Sequence, residues 1–184
     1  KRVLGNACIL RDLGYKVFCL GVNMTNEEQG FNNYEDITYC SIPYVNGLKR
    51  LNNSKPYSMI LTLINDIKNQ GYGLSSIIMY GSLGSTTLNK KLIKFGRHNH
   101  IAVYYDHVDI FPTPQKKPFM RYIAKLYENR QLAQKVFRKC DGIICISSYL
   151  SDMHSSYTKT VVIPPVVCKN RAALNNDKEK IKIV

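Results

Sequence analysis

Short apolar runs alternate with segments of helical periodicity along most of this 184-residue chain, and this alternation limits the fold more than any other feature. The runs KVFCLG at 16–21, IIMY at 77–80 and GIICI at 142–146 have few polar positions. Such runs indicate strands that are buried on both faces, as in a parallel sheet covered by helices. We therefore predict an α/β fold with a Rossmann-like, open and mainly parallel sheet and helices on both faces.

Apolar residues spaced three and four apart place the helices between these runs. Residues 2–14 and 56–71 form two such segments, and Gly14 and Gly71 at their ends are natural C-terminal caps. Residues 22–36 are polar and rich in asparagine, so we predict a loop there. Further helices are predicted from the turn at 81–85 to about residue 97, at 119–138 and at 148–155, and further strands at 37–44, 101–105 and 160–163.

The two ends of the sequence differ from a complete Rossmann unit. Such a unit opens with a strand and a Gly-rich turn, whereas this sequence begins in a helix, so we expect the first strand to be missing. Residues 169–180 are mostly polar, as in a linker, and residues 181–184 (IKIV) read as the beginning of a strand. We predict one domain over 1–168, a linker over 169–180 and the start of a C-terminal domain at 181–184.

The chain is strongly basic, with a formal net charge of +13 from 26 basic and 13 acidic residues. Three interpretations compete: a solvated basic face, attraction to an anionic membrane surface, and nucleic-acid binding. The basic residues are spread along the chain and form no recognisable nucleic-acid module, so we expect no nucleic-acid partner. The chain has no apolar run long enough to cross a membrane and no secretory signal, which favours a cytoplasmic protein.

The six cysteines lack the spacing of a zinc or redox site, and most of them lie in apolar runs. We expect them to be buried free thiols in a reducing compartment. The sequence also lacks the motifs of P-loop proteins, zinc-dependent deaminases, zinc proteases and α/β-hydrolases. No metal site is predicted.

The segment 140–167, CDGIICISSYLSDMHSSYTKTVVIPPVV, resembles the end of the N-terminal domain in family-four glycosyltransferases of GT-B fold. It has an acidic residue before a strand, a serine turn before a helix, and a last strand that is followed by two prolines. LRDLGYKVFCL at 10–20 and YYDHVDIFP at 104–112 resemble two further segments of that family, and the likeness covers nearly the whole chain. Asp109 stands where glutamate is commoner, and Cys168 stands where the family often has aspartate.

The resemblance implies a retaining glycosyltransferase that moves a sugar from a nucleotide-sugar donor to a lipid-linked or polysaccharide acceptor at the inner face of the plasma membrane. It implies that the C-terminal domain holds the donor nucleotide, that no metal is needed, and that residues 1–184 alone are inactive. A non-catalytic Rossmann-like binding or partner domain is the alternative.

Most candidate site residues follow from the rule that ligands lie at the carboxyl ends of parallel strands. Lys1 and Arg2 are candidates because they would follow the missing Gly-rich turn, near the cleft. A structural histidine is the other interpretation of His107, and helix capping is the other interpretation of the aspartates and serines. The catalytic candidates are Asp106, His107 and Asp109, and the candidates for acceptor or donor binding are Lys1, Arg2, Gly81, Ser82, Ser147, Ser148 and Pro164.

Overall fold

A computed structural model describes residues 2–23, 31–43, 54–80, 86–108 and 119–165. The chain divides into two compact units, one formed by residues 1–46 and 165–184 and the other by residues 47–164. The domain and linker boundaries predicted after residues 168 and 180 lie outside the described residues.

The first unit packs one helix against a three-stranded sheet. Its elements are α1 (Arg2–Asp12), β1 (Val17–Asn23), β2 (Phe31–Tyr34) and β3 (Ile37–Pro43). The strand order is β1-β3-β2, with β1 parallel and β2 antiparallel to β3. Ala7, Cys8 and Ile37 are the centre of its small core.

The loop predicted over 22–36 is wrong where the structure has strand, at the end of β1 and in β2. Phe31–Tyr34 pairs with β3 through a two-residue turn in which Glu35 and Asp36 have φ values of 45° and 64°. Consecutive positive φ values are typical of the type I′ turn, whose twist matches a hairpin. The sequence FNNY has no clear alternation of apolar and polar residues, so its strand depends on pairing with β3.

The second unit has a parallel sheet flanked by helices, which confirms the predicted α/β class. Neighbouring strands follow chain order, β4-β5-β6-β7, and all are parallel. Its elements are α2 (Ser54–Asn69), β4 (Ser76–Tyr80), α3 (Thr86–His98), β5 (Ala102–His107), α4 (Phe119–Lys135), a 3₁₀ turn (Phe137–Lys139), β6 (Gly142–Cys145), α5 (Ser148–Ser155) and β7 (Thr160–Val162).

The described strands form two sheets, whereas the alternation of helices and strands led us to predict one open sheet. Alternation indicates which segments are strands and that they are buried. It does not determine which strands are neighbours, because the pairing partner is chosen by tertiary packing.

Both predicted glycine caps are confirmed. Gly14 and Gly71 have φ values of 89° and 87°. Beside them Tyr15 N–H donates to the Leu10 carbonyl (3.0 Å) and Tyr72 N–H to the Ile67 carbonyl (3.3 Å). This 6→1 bond is the mark of the Schellman motif, which needs a residue with positive φ after the helix.

Helix α3 lies unusually close to β5 because Gly96 has no side chain. A Cβ built on Gly96 would lie 2.8 Å from the carbonyl oxygen of Ile101 and would clash with the side chain of Val103. The carbonyl of Gly96 also accepts a hydrogen bond from Ile101 N–H (2.8 Å). This close approach places the C-terminal end of α3 next to the beginning of β5.

Candidate functional site

The carboxyl ends of β4, β5, β6 and β7 meet at one edge of the four-stranded sheet, since all four strands are parallel. Tyr80 at the end of β4 pairs with Asp106, and His107 at the end of β5 pairs with Cys145. Beyond the strands, Ile146 N–H donates to the His107 carbonyl (3.3 Å) and Ile163 N–H to the Cys145 carbonyl (2.9 Å). This edge is where an open α/β sheet binds its ligands.

The structure places the described candidates as follows. Asp106 and His107 end β5, Ser147 and Ser148 follow β6, and Pro164 follows β7. Arg2 is buried at the beginning of α1, in the first unit. Lys1, Gly81, Ser82 and Asp109 lie outside the described residues.

Asp106 and His107 point to opposite faces of the sheet, because successive side chains on a strand alternate. His107 shares its face with Tyr105 and Val103. On that face Phe137 packs against both aromatic rings, and the centre of its ring lies 4.8 Å from that of His107 and 4.9 Å from that of Tyr105. Asp106 is 1% exposed. The two side chains therefore lie on different faces of the sheet, although the residues are adjacent in the sequence.

A chain of polar side chains continues from His107 into α5. The Nδ1 atom of His107 lies 2.9 Å from Nε2 of His154. The Nδ1 atom of His154 in turn hydrogen-bonds the hydroxyl of Tyr157. His107 and His154 are only 5% and 3% exposed. We call His107, His154 and Tyr157 the imidazole relay.

Apolar and aromatic groups surround the relay. Phe137 lies 4.8 Å from the rings of both histidines, and Cys145 and Leu150 are buried nearby on β6 and α5. The guanidinium of Arg138 stacks over the Tyr157 ring at 4.9 Å. Desolvation of this kind disfavours charged forms of the side chains. The hydrogen bonds within the relay give its buried polar atoms partners.

Burial and, to a smaller extent, the neighbouring His107 together lower the pKa of His154 from 6.5 to about 4. Burial also raises the pKa of the Tyr157 phenol, and nearby Cys145 adds to this, while Arg138 acts in the opposite direction. At neutral pH His154 is therefore uncharged and Tyr157 keeps its proton.

Ser147 caps α5, so the capping interpretation is confirmed for this residue. Its hydroxyl accepts a hydrogen bond from Leu150 N–H at 3.4 Å, the usual partner of an N-cap side chain. Ser148 is the first residue of the helix and is exposed, and Pro164 is also exposed.

Asp141, the acidic residue of the glycosyltransferase-like motif, has a structural function. Its carboxylate accepts a hydrogen bond from Val103 N–H (2.7 Å), and its own N–H donates to the Val103 carbonyl (2.8 Å). These two bonds join the start of β6 to β5, and they hold the far end of the strand that carries His107.

His154 and Tyr157 were missed at the sequence level. The one available signal was that His154 stands four residues after Leu150, which places both on the buried face of α5. A single histidine in a short helix gives no indication of its partner, since His107 is 47 residues away in sequence.

Four cysteines in the described ranges, Cys19, Cys40, Cys140 and Cys145, are free thiols, as predicted. Burial and the adjacent Asp141 raise the pKa of Cys140 to about 12, so this thiol is unreactive. Cys8 is an exception, because it forms a disulfide; spacing along a chain does not reveal which cysteines meet. Across the described ranges, no cluster of three or more potential metal ligands occurs.

A basic groove lies between α2 and α3, on the surface of the second unit. Its volume is about 340 Å³, and Tyr57, Lys91, Lys94, Phe95, His98 and Asn99 line it. The ammonium of Lys91 lies 5.3 Å from the centre of the Tyr57 ring. No carboxylate in the described part of the chain forms an ion pair with Lys91 or Lys94. We call this feature the α2/α3 groove.

None of the helices that the structure describes combines the length and apolar character needed to cross a membrane. No family model matches this chain, and no curated protein matches it.

Proposed function

We propose that this chain is the N-terminal, acceptor-binding part of a retaining glycosyltransferase of the GT-B type. The enzyme would transfer a sugar from a nucleotide-sugar donor to a lipid-linked or polysaccharide acceptor. The donor nucleotide would be held by a C-terminal domain, with neither a metal nor another cofactor bound by this chain. The alternative is a non-catalytic Rossmann-like domain that binds a glycan or a partner subunit.

The position of His107 is the observation that most supports this proposal. It ends β5 at the ligand-binding edge of a parallel sheet, in the segment YYDHVDIFP that resembles the glycosyltransferase family. Sugar transfer requires the acceptor hydroxyl to be oriented and the cation-like sugar to be stabilised. A histidine held rigidly by hydrogen bonds at this edge suits that task, since its polar atoms are aligned before the substrate arrives.

The other candidates have unequal support. Asp106 is buried on the opposite face, and Ser147 is engaged as a helix cap. Lys1, Gly81, Ser82 and Asp109 keep the binding or catalytic functions that we proposed for them from the sequence. Ser148 and Pro164 are exposed near the strand ends, where they could contact an acceptor.

His107→Ala should lower kcat/KM for sugar transfer by about 10- to 100-fold, as expected when one preorganised hydrogen bond to the transition state is lost. The measurement uses the protein encoded by the intact gene, a panel of nucleotide sugars, and lipid-linked and polysaccharide acceptors. His100→Asn is the matched control, because His100 is exposed at the far end of β5 and asparagine tolerates its positive φ of 55°.

We expect residues 1–184 alone to bind acceptor without transferring sugar, so turnover by this chain alone would contradict the assignment. A His107→Ala protein that works at the wild-type rate would also contradict it. Binding of a glycan by the intact protein with no transfer from any nucleotide sugar would favour the non-catalytic alternative.

We further propose that the protein is cytoplasmic and binds the inner face of the plasma membrane through the α2/α3 groove. The aromatic rings of Tyr57 and Phe95 suit the boundary between head groups and acyl chains, and Lys91 and Lys94 suit anionic head groups. A juxtamembrane lysine contributes about 1 kcal/mol of attraction to an anionic surface.

Lys91→Glu combined with Lys94→Glu should reduce affinity for phosphatidylglycerol vesicles by about 30-fold or more, because two attractions of about 1 kcal/mol each are lost. Vesicle co-sedimentation at two salt concentrations measures the change. Lys135→Glu combined with Lys159→Glu changes the net charge equally at exposed positions elsewhere. Equal binding of the wild type to neutral vesicles, or equal losses in both double variants, would contradict the proposal.

A further inference from the structure

We propose that α4 is an interfacial helix that inserts Ile123, Leu126 and Tyr127 into an anionic lipid membrane. These three residues and Arg130 form what we call the α4 stripe. The proposed binding through the α2/α3 groove relies mainly on electrostatic attraction, and the α4 stripe adds apolar insertion to it. Insertion therefore rests on the proposed membrane binding, although the two respond differently to salt and to substitution.

Helix α4 has two opposite sides. Leu132, near its end, is 8% exposed and belongs to the core, whereas Ile123, Leu126 and Tyr127 are 44%, 42% and 65% exposed. The residues of the α4 stripe are three or four positions apart, so they form one line along the helix. Ile123 stands nine residues before Leu132, which is about two and a half turns. The stripe therefore points away from the core.

The fold does not need this outer line to be apolar. Leu132 anchors the end of α4 in the core, and Val136 and Phe137 are buried directly after the helix. Single apolar residues are normal on a protein surface, but contiguous apolar surface marks a site of interaction. We therefore expect the α4 stripe to be covered by a binding partner.

The charge of α4 indicates which partner covers the stripe. The helix has four basic residues and one acidic residue, a glutamate, and Arg130 and Lys135 are exposed. Two copies of so basic a helix would repel each other in a dimer, whereas anionic head groups attract it. A basic helix with aliphatic and aromatic residues along one side is typical of helices that lie in a membrane interface.

Helix α4 lies in the same layer of helices as the α2/α3 groove. Helix α3 packs against both α2 and α4. The ammonium of Lys90 on α3 donates to the side-chain oxygen of Gln131 on α4 at 2.9 Å, and Lys91 and Lys94 of the same helix line the groove. A membrane that contacts the groove can therefore also reach the outer side of α4, where the apolar side chains would enter it by about 5–10 Å.

A tryptophan in place of Tyr127 reports whether the stripe enters the membrane. The 184 residues contain no tryptophan, and the emission of Tyr127→Trp is measured as the difference from the parent protein encoded by the intact gene. Vesicles of phosphatidylglycerol and phosphatidylcholine should shift this emission to shorter wavelength, because the indole leaves water. Lipids brominated on their acyl chains should quench it.

Val161→Trp is the matched control. Val161 is 50% exposed and pairs with Ile144, which in turn pairs with Asp106. It therefore lies on the face of the sheet opposite to Val103, against which α3 packs. Its emission should not change when vesicles are added, since the sheet lies between this position and α4.

Leu126→Ala should weaken vesicle binding about tenfold at about 1 M salt, where the Debye length is about 3 Å and electrostatic attraction is screened. The lost methyl and methylene groups no longer leave water on binding, and alanine keeps the helix because its helix propensity is the highest. Val161→Ala should leave this salt-resistant binding unchanged. Vesicle co-sedimentation measures both variants.

The outcomes separate insertion from the proposed groove binding. Vesicle binding by the wild type without a shift for Tyr127→Trp would overturn insertion and leave the proposed membrane binding standing. If Tyr127→Trp shifts while Lys91→Glu with Lys94→Glu binds like the wild type, insertion stands and the groove proposal fails. Absence of any vesicle binding would refute both. A wild-type dimer that Leu126→Ala converts to monomers in sedimentation would also overturn insertion, because a second copy would then cover the stripe.

Discussion

Gly96→Ala should lower the free energy of unfolding by at least about 2 kcal/mol. Two effects oppose each other here. Alanine in the interior of a helix is favoured over glycine by about 1 kcal/mol. The added methyl group, however, would lie 2.8 Å from the Ile101 carbonyl oxygen and would overlap the Val103 side chain. Overpacking that moves backbone costs about 1–3 kcal/mol and sometimes more, and here both a strand and a helix must shift, so the clash dominates.

Chemical denaturation of the wild type and the variant measures this loss. Gly73→Ala is the control, because a Cβ at Gly73 meets nothing within 4 Å, and it should change the stability by less than about 0.5 kcal/mol. Adding Val103→Ala to Gly96→Ala should not restore the wild-type stability, since the contact with the Ile101 carbonyl remains. A Gly96→Ala protein as stable as the wild type would show that α3 and β5 are not in such close contact.

Acid should destabilise the protein through His154 by up to about 3 kcal/mol. The pKa of His154 is about 4 in the folded chain against 6.5 ordinarily, so between these pH values the unfolded chain binds a proton that the folded chain does not. The free energy of unfolding therefore falls as pH is lowered from about 6.5 to about 4, by about 1.4 kcal/mol per pH unit at most. Above pH 6.5 this contribution is fully present.

Denaturation at several pH values between 4 and 7 tests this expectation. His154→Gln removes the titrating group, so the difference in stability between wild type and variant should shrink as the pH falls. The residues facing His154 are His107 and Tyr157, with Arg138 on the far side of the Tyr157 ring. His100→Asn should leave the pH dependence unchanged because His100 is exposed. An unchanged slope in His154→Gln would contradict the assignment.

Much of the local structure could be predicted because it depends on neighbours in sequence. Apolar spacing placed α2, and Gly71 ended it, since positive φ after a helix favours glycine strongly. The apolar runs placed β4 and β6 to within a residue. By contrast, β2 was missed because a short strand without alternation is stabilised only by pairing with β3.

Part of the candidate site could also be predicted. The end of β5 identified His107, since polar residues after a buried strand lie at the ligand-binding edge. The capping function of Ser147 follows from its position before a helix. The imidazole relay could not be found this way, because it joins β5 to α5 across 47 residues and its members have no common motif.

The sequence by itself determined that this chain has an α/β fold with buried parallel strands and that His107 and Ser147 follow two of them. These properties depend on hydrophobic periodicity and on the backbone preferences of single residues. Only the tertiary structure decided that the strands form two sheets, that Asp106 and His107 face apart, and that His107 is held by His154 and Tyr157. The physical reason is that pairing, burial and hydrogen-bond direction depend on which distant residues meet, and a linear pattern does not carry that information.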